Sequence, residues 1–164
     1  SPFSVIVGDQ QTDYDAKRFA VTGVSSLQIN TGKGCHLSAH DIAHAREDLT
    51  LPEQSILFIE NVGNLVCPSL FSLGEHYKIV ILSVTEGEDK PLKYPHMFHA
   101  ADIVLLTKID LLPYLDFDVE KCVRHIQEIN HKAQIFQVSA TTEQNLGAWY
   151  QWLQTAHEHA KKSL

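Results

Sequence analysis

The chain has 164 residues, 44% of them hydrophobic and 20% charged, the make-up of one globular domain. Thirteen Lys and Arg against twenty Asp and Glu give a formal net charge of −7, which argues against a general nucleic-acid binder, since such affinity comes mainly from cations on phosphates. No apolar run approaches the ~20 residues that span a bilayer, and Ser1-Pro-Phe-Ser-Val5 lacks the basic and apolar regions of a signal peptide. Three cysteines, Cys35, Cys67 and Cys122, are too few for a disulfide framework and point to a reducing, cytoplasmic compartment, while ten histidines direct attention to metal.

Six short apolar, β-branched runs read as strands buried on both faces. They are Val5–Val7, Leu27–Thr31, Ile56–Ile59, Ile79–Val84, Ile103–Leu106 and Ile135–Val138. Helical patterns fill several gaps between them. Leu37-Ser38-Ala-His-Asp41-Ile42 predicts a capping box, with Ser38 as N-cap, Asp41 reaching back and Leu37 stapled to Ile42. Val119, Cys122, Val123 and Ile126 form an i, i+3, i+4, i+7 stripe, which makes Cys122 a core residue. Leu146, Trp149, Tyr150 and Leu153 form another, with Thr141 and Gln144 as a second capping box and Lys161 and Lys162 at the helix end. Alternating strands and helices predict an α/β fold, a doubly wound and mostly parallel sheet with ligands at the carboxyl ends of the strands. The whole of residues 1–164 is expected to be a single domain.

Four clusters follow strands. Thr107-Lys108-Ile109-Asp110 follows the fifth. A carboxylate at a strand end can accept from both guanine N1–H and the exocyclic amine, a donor pair that adenine lacks, and the Lys108 stem can lie along the base. This resembles the guanine-specificity motif of GTPases, with Thr107 in place of Asn. Ser139-Ala140, after the next strand, is similar to the GTPase element whose backbone amide meets the guanine oxygen. Glu60-Asn61-Val62-Gly63 resembles the GTPase Asp-x-x-Gly. Glu60 can hold a water of a Mg²⁺ shell, Asp9 can face the same ion, and Gly63 lets the backbone approach a γ-phosphate. Each of these carboxylates is equally well explained as a loop or helix cap.

Cys35-His36 and Cys67 stand just past two different strands, with the cysteines 32 residues apart. Two thiolates and an imidazole suit Zn²⁺ or Ni²⁺, and a three-ligand set leaves a position open. The bland alternative is two small buried cysteines and one surface histidine. His40 and His44, at i and i+4, read as an exposed helix face, and Glu86–Pro91 as a solvated acidic loop.

Longer strings name a family. Gly8-Asp-Gln-Gln-Thr12, Gln28-Ile-Asn-Thr-Gly-Lys-Gly-Cys-His36, Phe58-Ile-Glu-Asn-Val-Gly-Asn-Leu-Val-Cys67 and Ser83-Val-Thr-Glu-Gly-Glu-Asp-Lys-Pro-Leu-Lys-Tyr-Pro-His96 resemble the HypB family of hydrogenase nickel-incorporation GTPases. The resemblance implies a P-loop NTPase-like G domain of the SIMIBI class that uses GTP, Mg²⁺ and Ni²⁺ or Zn²⁺. It implies a homodimer through the metal-site face, a hydrogenase maturation partner and delivery of nickel to the large subunit of [NiFe]-hydrogenase. Cys35, His36 and Cys67 match the family's metal ligands, Asp9 and Glu60 its Mg²⁺-associated carboxylates, and Lys108 and Asp110 its guanine-recognising pair. Urease-type relatives use Cys-Pro-His, whereas Cys67-Pro68 is followed by Ser69.

Besides Thr107 for Asn, the family pattern departs at the phosphate-binding loop. No Gly-x-x-x-x-Gly-Lys-Ser/Thr string occurs, and Gly32-Lys33-Gly34 is not one, with Gly34 where the Mg²⁺-binding hydroxyl should stand. The strand that precedes a P-loop is missing with it, so an empty slot is expected in the sheet. A segment upstream of Ser1 is the simplest source. On this reading the 164 residues alone act as a metal-binding and dimerisation module without nucleotide turnover.

Overall fold

A computed structural model describes residues 2–10 and 14–162. Gln11 and Thr12 of the Gly8–Thr12 string lie outside the described residues. Cα packing divides the chain into two compact units, one running to Gly74 and the other Glu75–Ala160.

The first unit holds strands β1 (Phe3–Asp9), β2 (Ser25–Asn30) and β3 (Ile56–Glu60), and helices α1 (Tyr14–Val21), α2 (Ala39–Asp48) and α3 (Cys67–Leu70). Its sheet has the order β2-β1-β3 and is parallel throughout. The central position of β1 explains its apolar run: Val5, Ile6 and Val7 are at most 3% exposed, while β2 and β3 are half-buried. Ile6, Leu37, Ile42, Ala45 and Leu49 form the core under α2, with Leu27, Ile29, Leu57 and Ile59 packed against them.

The expected capping box is present. The Ser38 hydroxyl accepts from the Asp41 N–H (3.2 Å), and the Asp41 carboxylate accepts from the Ser38 N–H (2.8 Å) and O–H (2.6 Å). These bonds, side chain first and backbone second, hold the Asp41 carboxyl below its ordinary value of 3.8. A carboxylate depressed on folding stabilises the fold above its unfolded pKa, and that contribution is lost as pH falls through the folded value. Asp41→Asn should therefore flatten the decline in stability below about pH 4. Urea midpoints measured across that range check this.

Gly8 has a packing role. A methyl built on it would meet three Leu37 side-chain carbons at 2.6–2.9 Å. Leu37 is fully buried and has nowhere to retreat. Gly8→Ala should cost about 1–3 kcal/mol, read as a lower urea midpoint at unchanged m-value.

The second unit holds β4 (Ile79–Ser83), β5 (Ile103–Thr107) and β6 (Gln134–Gln137), again parallel, in the order β4-β5-β6. Its helices are α4 (Lys90–Lys93), α5 (Pro95–Ala100), α6 (Val119–Ile129) and α7 (Leu146–Lys161), with 3-10 turns at Val84–Glu86 and Ile109–Tyr114. Ile103, Leu105 and Trp149 form one core cluster, joined by Ile79, Phe136, Leu146, Trp152 and Leu153. Cys122 is fully buried on α6, and burial, then the Glu88 charge, pushes its thiol up to about 11. No helix among the described residues is long and apolar enough to cross a membrane.

The strands form two three-stranded parallel sheets with β3 and β4 at their edges, in keeping with a sheet expected to lack one strand. Two expectations differ from the structure. Tyr150 is 53% exposed, because the buried stripe of α7 runs through Trp149, Trp152 and Ala156, about one residue further round the helix. Thr141 and Gln144 do not cap α7. The Ser139 N–H donates to the Gln144 carbonyl (3.1 Å) and the Thr142 N–H to the Ser139 hydroxyl (3.2 Å), closing a turn before the helix begins at Leu146.

Candidate functional site

In the first unit, parallel pairing in register sets Asp9 opposite Asn30 and Val7 opposite Glu60, so three strand ends share one edge. The loop after β2 folds over the end of β1. The Thr31 N–H donates to the Asp9 carbonyl (2.9 Å), the Gly34 N–H to the Thr31 carbonyl (2.8 Å), and the Gln10 side chain to the Gly34 carbonyl (3.2 Å). Gly32 turns this loop at φ 59°, in the left-handed region that glycine enters without strain. The Cys35-His36 and Cys67 loops thus come from strands on either side of β1, not from neighbouring ones.

There the three expected ligands meet. Among the described residues one group of three or more His, Cys, Asp and Glu side chains gathers its ligand atoms, and it is Cys35, His36 and Cys67, all within 4.8 Å of one another. The two sulfur atoms are 2.7 Å apart as free thiols, and Cys35 Sγ lies 3.4 Å from His36 Nδ1. The Cys35 thiol, hydrogen-bonded to Cys67, and partial desolvation push the Cys67 thiol above its ordinary value. A metal ion bound here would take both sulfurs as thiolates. Two sulfurs and an imidazole nitrogen gathered this closely suit a borderline-soft ion, which takes such donors at about 2.0–2.3 Å in the case of zinc. The His36 ring stacks on Phe71 at 4.6 Å, with planes 4° apart. All three ligands are half-buried, and Val66, Leu70 and Phe71 beside them are exposed.

Two asparagines of the β3–α3 loop hold this geometry, and no role was expected of them from sequence. Asn61 Oδ1 accepts from the Leu37 N–H (2.8 Å) and the Val62 N–H (2.9 Å). Asn64 Oδ1 accepts from the Cys67 N–H (3.0 Å) and the Val66 N–H (3.1 Å), and its Nδ2 donates to the Cys35 carbonyl. The only advance signal was local: Asn-x-x-Cys-Pro reads as a capped helix start with proline in the first turn.

The β1 and β3 ends also carry the expected carboxylates. Asp9 is half-buried and accepts from the Gln10 N–H, and Glu60 is exposed. Gly63 is exposed, a methyl on it would meet nothing within 4 Å, and its φ lies outside the left-handed region. The fold itself therefore places no steric or conformational demand for a glycine there. His40 and His44 form an edge-to-face pair (4.4 Å) on the exposed side of α2, as expected of a helix surface.

In the second unit, the turn after β5 lies against the end of β6. The Val138 N–H donates to the Leu106 carbonyl (2.8 Å) and the Ile109 N–H to the Val138 carbonyl (3.3 Å), which sets Lys108–Asp110 beside Ser139-Ala140. Lys108 takes φ 61°, ψ 34°, and starts the 3-10 turn that carries the half-buried Asp110. Ser139 is buried and its N–H is engaged by Gln144, so exposed Ala140 is the member of the pair able to offer an amide. Thr107 donates to the Leu82 carbonyl (3.4 Å), tying β5 to β4.

The acidic loop after β4 is internally paired rather than merely solvated. Glu86 bonds Lys90, Asp89 lies 3.0 Å from Lys93, and Glu88 lies 3.5 Å from Lys121. Burial raises the Glu86 carboxyl, but bonds from Lys90 and the Ser83 N–H, with the charges of Lys90 and Lys108, bring it below its ordinary value.

The CobW/HypB/UreG nucleotide-binding domain family matches residues 2–137 of the chain. Hydrogenase maturation factor HypB of Azotobacter vinelandii is 59% identical over 153 residues, covering 93% of this chain and 50% of the relative. HypB of Escherichia coli K12 is 58% identical over 154 residues, covering 94% of this chain and 53% of that one. The chain thus spans about half the length of these relatives. The crystal structure of HypB from Helicobacter pylori in complex with nickel superposes at a TM-score of 0.90 with 41% identity, covering 96% of this chain and 75% of that one. A match over most of the chain, with a parallel α/β backbone to agree, means that the chain belongs to the HypB hydrogenase maturation factors of the CobW/HypB/UreG nucleotide-binding family.

Proposed function

We propose that the protein carrying this chain binds Ni²⁺ or Zn²⁺ through Cys35, His36 and Cys67 and couples GTP binding and hydrolysis to nickel insertion into a [NiFe]-hydrogenase. The observation that carries the reading is the convergence of two thiols and an imidazole within 4.8 Å. Nickel is cargo here, and a three-donor set suits cargo, with enough ligands to capture the ion and a position left for a receiving protein. Asp9 and Glu60 would face Mg²⁺ and its waters, Gly63 would approach the γ-phosphate, and Lys108, Asp110, Ser139 and Ala140 would hold the guanine. The exposed apolar residues Val66, Leu70 and Phe71 beside the ligands support a homodimer through this face. A maturation partner, the hydrogenase large subunit and a cytoplasmic setting complete the reading.

Cys67 stands four residues after Gly63 on one loop, so a γ-phosphate that draws in Gly63 also moves a metal ligand. The test is nickel affinity of the full-length protein with GDP and with a non-hydrolysable GTP analogue. A several-fold difference supports the coupling, and equal affinities remove it.

A second reading concerns the 164 residues by themselves. Without a Gly-x-x-x-x-Gly-Lys-Ser/Thr string they lack the amide nest that cradles β- and γ-phosphates, which favours a metal-binding and dimerisation module. GTP titration decides it: micromolar binding with turnover by this chain would defeat the module.

A further inference from the structure

We propose that Asn64 is a positioning residue of the metal site: its carboxamide ties the Cys35 peptide to the Cys67 peptide and sets the spacing of the two sulfurs without touching the ion. The inference rests on the reading of Cys35, His36 and Cys67 as metal ligands.

The two cysteines lie 32 residues apart on loops with no ladder between them. One side chain joins those loops at the ligands themselves. Asn64 Nδ2 donates to the Cys35 carbonyl, and Oδ1 accepts from the Cys67 N–H at 3.0 Å and the Val66 N–H at 3.1 Å. The partners also dictate the amide's orientation. A carbonyl can only accept and a backbone N–H can only donate, so reversing the amide would set oxygen against oxygen and N–H against N–H.

No other residue type makes both connections from this position. Aspartate has the acceptor but no donor for Cys35, serine is too short, and glutamine adds a methylene. Asn61 supplies a second strut, accepting from the Leu37 N–H at 2.8 Å. The Cys35 carbonyl and the Leu37 N–H belong to the two peptide groups flanking His36. Asparagines three apart thus pin both peptides of the ligand pair to the segment that ends at Cys67. Groups that orient metal ligands in this way are worth about 10–100-fold in affinity when removed.

The experiment uses the full-length protein, with Ni²⁺ alone as the probe in competition with a chelator, and follows the sulfur-to-nickel charge-transfer absorption. Asn64→Ala should raise the nickel dissociation constant by about 10–100-fold, with a shifted or weakened charge-transfer band, although all three ligands remain. Asn64→Asp keeps the shape and the Cys67 cap but lacks the donor to Cys35. It should retain a near-wild-type melting temperature and still lose affinity, which separates ligand positioning from fold stability. If Asn64→Ala fails to fold, Asn64→Asp alone decides. Wild-type affinity and an unchanged band in the folded variants overturn the proposal. Absence of nickel binding by the unmutated protein overturns the metal-site reading instead.

Discussion

Changing both Cys35 and Cys67 to serine should lower the nickel or zinc affinity of the full-length protein by about 10⁴-fold. The magnitude follows from the donor chemistry. A four-ligand zinc site is worth about 10–16 kcal/mol at neutral pH, or about 3 kcal/mol for each ligand. One lost thiolate then costs about a hundredfold, and two cost about 10⁴-fold. Serine is nearly isosteric but remains a neutral hydroxyl at pH 7, so it cannot replace a thiolate on a borderline-soft ion. Both positions are half-buried, and Cys67 lies at the start of α3. The variant should therefore keep its melting temperature in the absence of metal. Equilibrium dialysis with metal analysis measures the effect. Retention of a full equivalent by the double variant would sink the assignment of Cys35, His36 and Cys67. The third cysteine is the internal control: Cys122 is fully buried with its thiol pushed up to about 11, so it is neither exposed nor ionised to bind metal.

The second large effect concerns the base. Asp110→Asn in the full-length protein should weaken GTP binding by about 100-fold and raise affinity for xanthosine triphosphate. A carboxylate can accept from both the N1–H and the exocyclic amine of guanine, and each charge-assisted bond is worth about 1.5–3 kcal/mol. Asparagine keeps one acceptor and turns the other position into a donor. That donor clashes with the guanine amine and matches the carbonyl that xanthine carries there. Asp110 sits in the 3-10 turn that follows Lys108, half-buried and held against Val138 by the Ile109 N–H (3.3 Å). The substitution therefore changes chemistry in place rather than the path of the chain. Displacement of a fluorescent guanine nucleotide measures it, and unchanged GTP affinity in the variant would remove Asp110 from base recognition.

The sheet ladders and the capping box of α2 were legible because their signals are local. β-branched runs of three to six residues became β1 to β6 with ends shifted by at most two positions. Ser38 and Asp41 lie within one helical turn, so their bonds depend on little else. The residue types of the candidate metal site were visible in the sequence, although their spacing alone left two small buried thiols and a surface imidazole as an open alternative.

Other features were not local. The stripe of α7 was displaced because the residues that face the sheet depend on where Phe136 and Ile79 stand, which brought Trp152 inward and left Tyr150 out. Asn64 was invisible as a strut because its donor target, the Cys35 carbonyl, lies 29 residues away.

The amino-acid sequence by itself determined the alternation of strands and helices, the donors available for metal and for guanine, and the strings that carry the family. Tertiary structure alone decided that the Cys35-His36 and Cys67 loops meet across β1, and that Asn61 and Asn64 lock them there. The reason is physical: residue type sets what a group can bond, whereas parallel pairing of distant segments sets which groups come within 3 Å of each other.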